Sequence, residues 1–453
     1  MSDFCGTART IDNAEQLAEL YLQHYFKGNE INYPINPFQM LLDEGVKFAI
    51  RDFGKLEGVY IPAKDSEDIP IVGINLNRPI TRQRFTAAHE LCHFLRDSNE
   101  QICSIFGTKS AIEKFADSFA SGVLMPFGEL QAQVSKRKKD GYVDFDNILE
   151  ISDYFGVSFE SCLFRIAYLV HAVQGNTEVS ELKKRVRKFK PDLRRKEQGF
   201  NNMLLYEGLL DSYGHALRFT PNEFALNVFQ NDYIYNDSRL EGVDIDHGIA
   251  AEIVTDIRLK KQSSEYCIEE NEAFMSIAGH AAMYSYIFNL PVTDKCSVFD
   301  TVSLHKRLYS CFPYPEYGGQ FRDNNTIVLG AKFETIDYND IISALIKVDE
   351  RVRMVFEQKE FIPISSYIKC VVKLHHELTV IHPFGDGNGR TLRAFFNVMM
   401  VRNKLTPVYI KVEDKSDYIE ALAVADKDAE FAPLFEFFSE ASWVSVGKTT
   451  THY

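Results

Sequence analysis

Two short runs in this 453-residue chain bring together residue types that do chemistry, at spacings that let them act together. The first is His89-Glu90-Leu91-Cys92-His93. On a helix its two histidines fall one turn apart on the same face, able to grip one metal ion. Neutral imidazoles suit zinc, an open position on the ion retains water, and Glu90 beside that water can accept its proton. Glu113 is the candidate third ligand. Asp117, one turn further along Glu113-Lys114-Phe115-Ala116-Asp117, can orient a ligand histidine from behind.

The second run, His382-Pro383-Phe384-Gly385-Asp386-Gly387-Asn388-Gly389-Arg390, stands just before an apolar-periodic segment with Leu392, Phe395 and Met399. Gly387 and Gly389 let backbone N–H groups come close to oxyanions, and the N-terminus of the following helix adds a favourable dipole. Asp386 can hold a magnesium ion that bridges phosphates. Arg390 and Arg393, three apart, can serve one polyphosphate. His382 can deprotonate a hydroxyl that attacks phosphorus, while the cations stabilise the developing charge. His375 and His376, on the preceding helical stretch, read as structural.

The elements that must hold these residues differ between the two halves. Residues 1–178 mix strand-like alternation, as in Ile71 to Asn77, with helical patterns, as in Phe85 to Leu95, which predicts an α+β domain. Residues 179–199 are crowded with Lys and Arg around Pro191 and predict a basic interdomain linker. Residues 200–446 predict a mainly α-helical domain, with helices over 364–380 and 390–403 and a hairpin near 318–330 whose turn is Asn324-Asn325.

The formal net charge of −14 argues against a nucleic-acid-binding surface over the whole chain, the basic linker excepted. The eight cysteines contain no CxxC pair, so neither a disulfide framework nor a thiolate zinc site is implied. The first thirty residues lack the apolar run of a secretory signal, and no stretch is apolar for long enough to span a bilayer. A cytoplasmic protein without membrane attachment is expected.

Arg84-Phe85-Thr86-Ala87-Ala88-His89-Glu90-Leu91-Cys92-His93, with Ala116-Asp117-Ser118-Phe119-Ala120 and Leu124-Met125-Pro126, resembles the ImmA/IrrE metallopeptidases over roughly residues 10–170. That resemblance implies a zincin-like fold and cleavage of repressors that control stress or mobile-element genes. Cys92 stands where that family usually has Gly, and a thiol ligand there is the alternative to the His-His-Glu set. His382 to Arg390 matches the Fic signature, and the similarity covers roughly residues 200–440. By that resemblance His382 is the base, Phe384 a core anchor, Asp386 the magnesium ligand, and Gly387, Asn388 and Gly389 the anion hole. Gly318-Gly319-Gln320-Phe321-Arg322 and Thr326 to Leu329 resemble the Fic flap, which holds a protein target by main-chain pairing.

Ser238-Arg239-Leu240-Glu241-Gly242 resembles the Fic inhibitory helix, with the motif spanning 237–242 and Glu241 pairing with Arg393 to deny it to the γ-phosphate. Asp237 departs from the Ser or Thr of that motif and is expected to cap the helix in its place. Together the resemblances imply a self-inhibited AMP transferase using Mg2+ and ATP, coupled to a zinc peptidase whose substrate is a repressor or the chain's own 180–198 segment. The alternative is a Fic transferase that uses another nucleotide or removes AMP, with the N-terminal half acting as a sensor or binding module.

Overall fold

The computed structural model describes residues 4–65, 67–97, 101–104, 110–212, 223–260, 263–267, 271–289, 295–328 and 333–449. The chain divides into two units, residues 1–212 and 213–453. The first is α+β. Its sheet has the order β1-β3-β2-β4, with β1 at Lys47–Arg51, β2 at Leu56–Ile61, β3 at Ile71–Asn75 and β4 at Gln101–Ser104. β1 runs parallel to β3, and β2 runs antiparallel to both β3 and β4.

The helix that carries the two histidines, Ile80–Arg96, packs on β2 and β3 and against the helices Pro37–Asp43 and Ala111–Leu124. From Gln83 to Leu95 only Phe85 escapes burial. A helix so enclosed needs small neighbours, and Gly58 in β2 is one. A Cβ there would stand 2.5 Å from both Glu90 Oε1 and Thr86 Cγ2, so this glycine is what lets sheet and helix meet.

The basic stretch 179–199 is not a tether. Val179–Phe189 and Pro191–Glu197 are helices, joined where Lys190 adopts a left-handed backbone. Leu182 is buried in the core with Ile148, Leu149 and Leu163, with Val186 and Phe189 packed against that core. The Arg185 guanidinium lies 4.7 Å over the Phe145 ring, and Arg195 pairs with Asp153 at 2.8 Å. An apolar stripe of Val179, Leu182, Val186 and Phe189, at helical spacing, is hidden in the basic composition. The helix Met203–Ser212 also belongs to this unit, since Asn36 Nδ2 donates to the Gly208 carbonyl and to Ser212 Oγ. The second unit therefore begins after residue 212 and not at residue 200.

That second unit is helical. The expected helices around the glycine-rich loop are Ile364–Ile381 and Asn388–Arg402; Ile341–Gln358 and Ala432–Thr449 pack on the first, Glu272–Phe288 and Asp300–Leu308 on the second, and Glu223–Leu240 packs against Glu272–Phe288. The expected hairpin takes another form. Residues 325–328 and 333–337 form no ladder strands and are tied where Thr335 Oγ1 donates to the Thr326 carbonyl at 2.6 Å. Asn324-Asn325 is at the base and not the tip, with Asn325 donating to Asp337, because Arg322 and Asn325 bind backbone there. Leu329 and Gly330 of the expected flap lie outside the described residues. No helix among the described residues is long and apolar enough to cross a membrane.

Candidate functional site

In the first unit His89 Nε2 and His93 Nε2 stand 3.0 Å apart. Glu113 reaches both, Oε2 at 3.3 Å from His89 and Oε1 at 3.4 Å from His93. Glu113 is set in place by Ser110, which caps Ala111–Leu124 by accepting from the Glu113 N–H. A tetrahedral ion with bonds of roughly 2.0–2.1 Å spaces its ligand atoms by about 3.3 Å, so these donors fit zinc as they stand. The far nitrogen of each ring is held by a carboxylate, His89 Nδ1 by Asp117 at 3.1 Å and His93 Nδ1 by Asp97 at 2.6 Å. A carboxylate only accepts, so each Nδ1 carries the proton and each Nε2 lone pair faces the other ligands. Asp97, one turn beyond His93, was missed in the sequence although its spacing was there to be read.

Glu90 is wholly buried, and among the described residues neither of its carboxylate oxygens has a hydrogen-bond partner. Burial pushes its carboxyl up to about 7. An orphaned carboxylate at this position fits a base awaiting a water. Cys92 is not one of the clustered donors; it is buried, and burial raises its thiol well above the usual range, so the thiolate alternative has no support. Asp117 and Phe85 help to line a cleft of about 480 Å³.

In the second unit the loop 382–387 links two helices. His382 ends the first in a left-handed conformation, its N–H donating to the Leu378 carbonyl, and its side chain lines a cavity of about 270 Å³. Burial lowers the His382 imidazole below the ordinary histidine value, with the Arg322 charge adding to the effect and a hydrogen bond to the Thr379 backbone opposing it. Asn388 Nδ2 donates to the Phe384 carbonyl and its Oδ1 accepts from the Phe384 N–H, closing the loop. Both ends of that side chain are therefore engaged, and what Asn388 can offer an anion is its backbone N–H. Asp386 has a largely exposed side chain whose Oδ2 accepts from Tyr309 O–H at 2.7 Å, an arrangement that fits a single carboxylate sharing magnesium with phosphates.

The two arginines part company. Arg390 Nη1 donates to Ser276 Oγ at 2.7 Å, whereas Arg393 lines the cavity. Arg393 Nη2 pairs with Glu241 Oε1 at 2.5 Å, and its Nε binds Asp237 Oδ1. Asp237 is therefore no cap. It lies inside Glu223–Leu240, buried, with its carboxylate on Arg393, because the helix began well before it. A methyl group at Gly389 would collide with Glu241 Oε1, so that carboxylate lies directly over the first turn of Asn388–Arg402. Lys415 Nζ donates to the Leu240 carbonyl at 2.5 Å and holds the helix end from which Glu241 projects.

Sequence reading also missed His305, which stacks on Phe384 with ring centroids 4.0 Å apart. Its Nδ1 accepts from the Gly319 N–H, so Nε2 carries the proton and donates to the Asp386 carbonyl at 2.9 Å, tying Gly319 to the loop. His375 donates or accepts with Tyr418 O–H at 2.8 Å, and His376 meets Asp426 at 2.8 Å. Burial lowers His305 to about 4 and His375 to about 3. Unfolding returns both to the ordinary histidine value, so between pH 6.5 and about 4 the unfolded chain binds more protons than the folded one. Stability of this unit should be undiminished above pH 6.5 and fall by a few kcal/mol, roughly, toward pH 4. Trp443, the sole tryptophan, is buried in this unit, so thermal melts followed by its fluorescence measure the effect.

Fold and sites together define a class: an α+β domain with a His-His-Glu cluster that could hold a metal ion, followed by a helical domain with a glycine-rich loop between two helices. Residues 43–167 match the family model for the IrrE N-terminal-like domain, and residues 296–400 match that for the Fic/DOC family. The chain thus joins an IrrE N-terminal-like domain to a Fic domain. It is 26% identical over 153 residues to protein adenylyltransferase fic-1 of Caenorhabditis elegans, covering 34% of this chain and 28% of that protein. It is 24% identical over 230 residues to protein adenylyltransferase Fic of Nematostella vectensis, covering 49% of each. The matched stretches thus span less than half the length of these relatives. Among solved structures, a Fic-1 fragment from C. elegans aligns with a TM-score of 0.44 and 18% identity over 73% of this chain and 87% of that one.

Proposed function

We propose that the second unit moves AMP from magnesium-bound ATP to a protein hydroxyl, that Glu241 holds this activity back, and that the first unit is a zinc metallopeptidase coupled to it. The observation that carries the reading is Glu241, paired with Arg393 and lying over Gly389 at a cavity that His382 also lines. A triphosphate is what would compete for that arginine and that helix N-terminus. With Glu241 withdrawn, ATP can place its γ-phosphate at Arg393 and its α-phosphorus near His382. The hydroxyl oxygen then bonds to the α-phosphorus, the bond to the bridging oxygen of the β-phosphate breaks, and pyrophosphate leaves as His382 takes the hydroxyl proton. Magnesium held by Asp386 would neutralise phosphate charge. The 318–330 flap would present the target segment, and a repressor would be the peptidase substrate. The helical, packed 180–198 segment is a poor self-cleavage site, since proteolysis favours exposed loops.

Label from ATP carrying ³²P at the α position is expected on protein, and label from γ-³²P-ATP is not. Transfer from the γ position would mean phosphorylation and sink the AMP reading. Because burial lowers His382, the base form persists below its ordinary range: the acid limb of the rate against pH should lie below pH 6.5, and activity should be lost only as pH falls through that lowered value.

A further inference from the structure

The second unit holds a carboxylate that the inhibitory glutamate does not need. Asp237 lies one helical turn before Glu241, so both reach the same guanidinium. Asp237 is buried and binds Nε, whereas Glu241, with a side chain 32% exposed, binds Nη2 at 2.5 Å. On its other side Asp237 Oδ2 lies 3.1 Å from Nε2 of the fully buried His280, close but not aligned for a hydrogen bond, and His280 Nδ1 meets Ser238 Oγ at 3.1 Å. Burial works to raise the Asp237 carboxyl, but the Arg393 charge and the His280 contact outweigh it and hold it down at about 2. It is ionised at any working pH.

Around Arg393, then, one cation faces two carboxylates. Two anions on one guanidinium repel each other, so each weakens the other's hold. The buried one cannot leave without dismantling its helix. The other projects from the helix end and can turn into solvent. We infer that Asp237 is the resident counter-ion of Arg393: it keeps the guanidinium oriented through Nε when Glu241 withdraws, and its charge keeps the hold of Glu241 on Arg393 weak. Asp237 is thus a positioning residue, and the inference rests on reading this cavity as a nucleotide site blocked by Glu241.

Asp237→Asn keeps an oxygen for Nε and removes the charge. In the otherwise unaltered chain it leaves Glu241 as the remaining acidic partner of Arg393, and ATP binding should weaken on the order of tenfold. In the Glu241→Gly background the same change should have the opposite sign. There it leaves a buried cation without a carboxylate, and ATP should bind on the order of tenfold tighter because its γ-phosphate supplies the missing charge. AMP, which has no γ-phosphate, should bind equally with and without the change. Calorimetric titration of the full chain with a non-hydrolysable ATP analogue and with AMP reads both, and Trp443 melts report folding. Asp237→Ser carries the same expectations and serves if the Asn variant does not fold. Reversal of sign between the backgrounds, confined to the triphosphate, supports the inference. The same sign in both, or equal effects on both nucleotides, overturns it. If Glu241→Gly leaves ATP binding unchanged while Asp237 is intact, the nucleotide-site reading fails and the inference falls with it.

Discussion

Glu241→Gly is expected to turn weak self-labelling or partner labelling into rapid AMP transfer, on the order of 10- to 100-fold faster. The size follows from what is removed. A charge-assisted hydrogen bond of roughly 1.5–3 kcal/mol to Arg393 Nη2 disappears, and each ~1.4 kcal/mol is a factor of ten. The effect is also steric, because the carboxylate lies over Gly389, where the first N–H groups of Asn388–Arg402 would meet phosphate. Asp237 remains on Nε in this variant, so Arg393 keeps its position while its Nη edge is released. Adding His382→Ala should cost on the order of 10²- to 10⁴-fold, the usual contribution of a placed general base. Asp386→Ala should also lose transfer. Intact-mass spectrometry after incubation with magnesium and ATP follows all of these as an added AMP. A Glu241→Gly/His382→Ala double variant that labels as fast as Glu241→Gly would show that the base has been misassigned. A mass gain matching UMP would change the nucleotide and leave the rest of the argument standing.

In the first unit the largest expected effect is loss of zinc. One zinc per chain should bind, and His89→Ala or His93→Ala should abolish it, because the remaining donors can no longer close a tetrahedron with one open position. Asp97→Ala and Asp117→Ala should each weaken affinity on the order of 10- to 100-fold, since they fix the tautomer and direction of the ligand rings without touching the ion. Glu90→Gln should keep zinc and lose peptide cleavage by on the order of 10²- to 10⁴-fold. Metal analysis of each variant, alongside cleavage of candidate repressors, separates binding from turnover. Full zinc occupancy in His89→Ala would refute the ligand set. Zinc bound normally with no cleavage by wild type or Glu90→Gln would leave the unit a metal-holding sensor.

Local motifs were legible because the spacing that makes them work is set by the helix itself. Two residues four apart on a helix share a face whatever surrounds them, so His89 with His93, and Asp117 behind Glu113, could be read from letters alone, as could the glycines between His382 and Arg390. Asp97 obeyed the same rule and could have been found by it. Strands and helices near these motifs were legible too, with Ile71–Asn75 and Ile364–Ile381 close to their expected limits.

Tertiary structure alone decided which groups meet from distant parts of the chain. Nothing in the sequence places Asp237 and His280 beside Arg393, or His305 between Gly319 and the Asp386 carbonyl. These contacts depend on how helices cross and pack, which local periodicity does not encode. The same limit explains the stretch 179–199. Its charges were visible, but whether a sparse apolar stripe finds a core to cover is settled only when that core exists, and here Leu182 is buried in it. Asp237 shows the converse: a residue suited by type to capping a helix became a buried counter-ion, because the helix extends from Glu223 to Leu240 and places it opposite a guanidinium that needs a carboxylate.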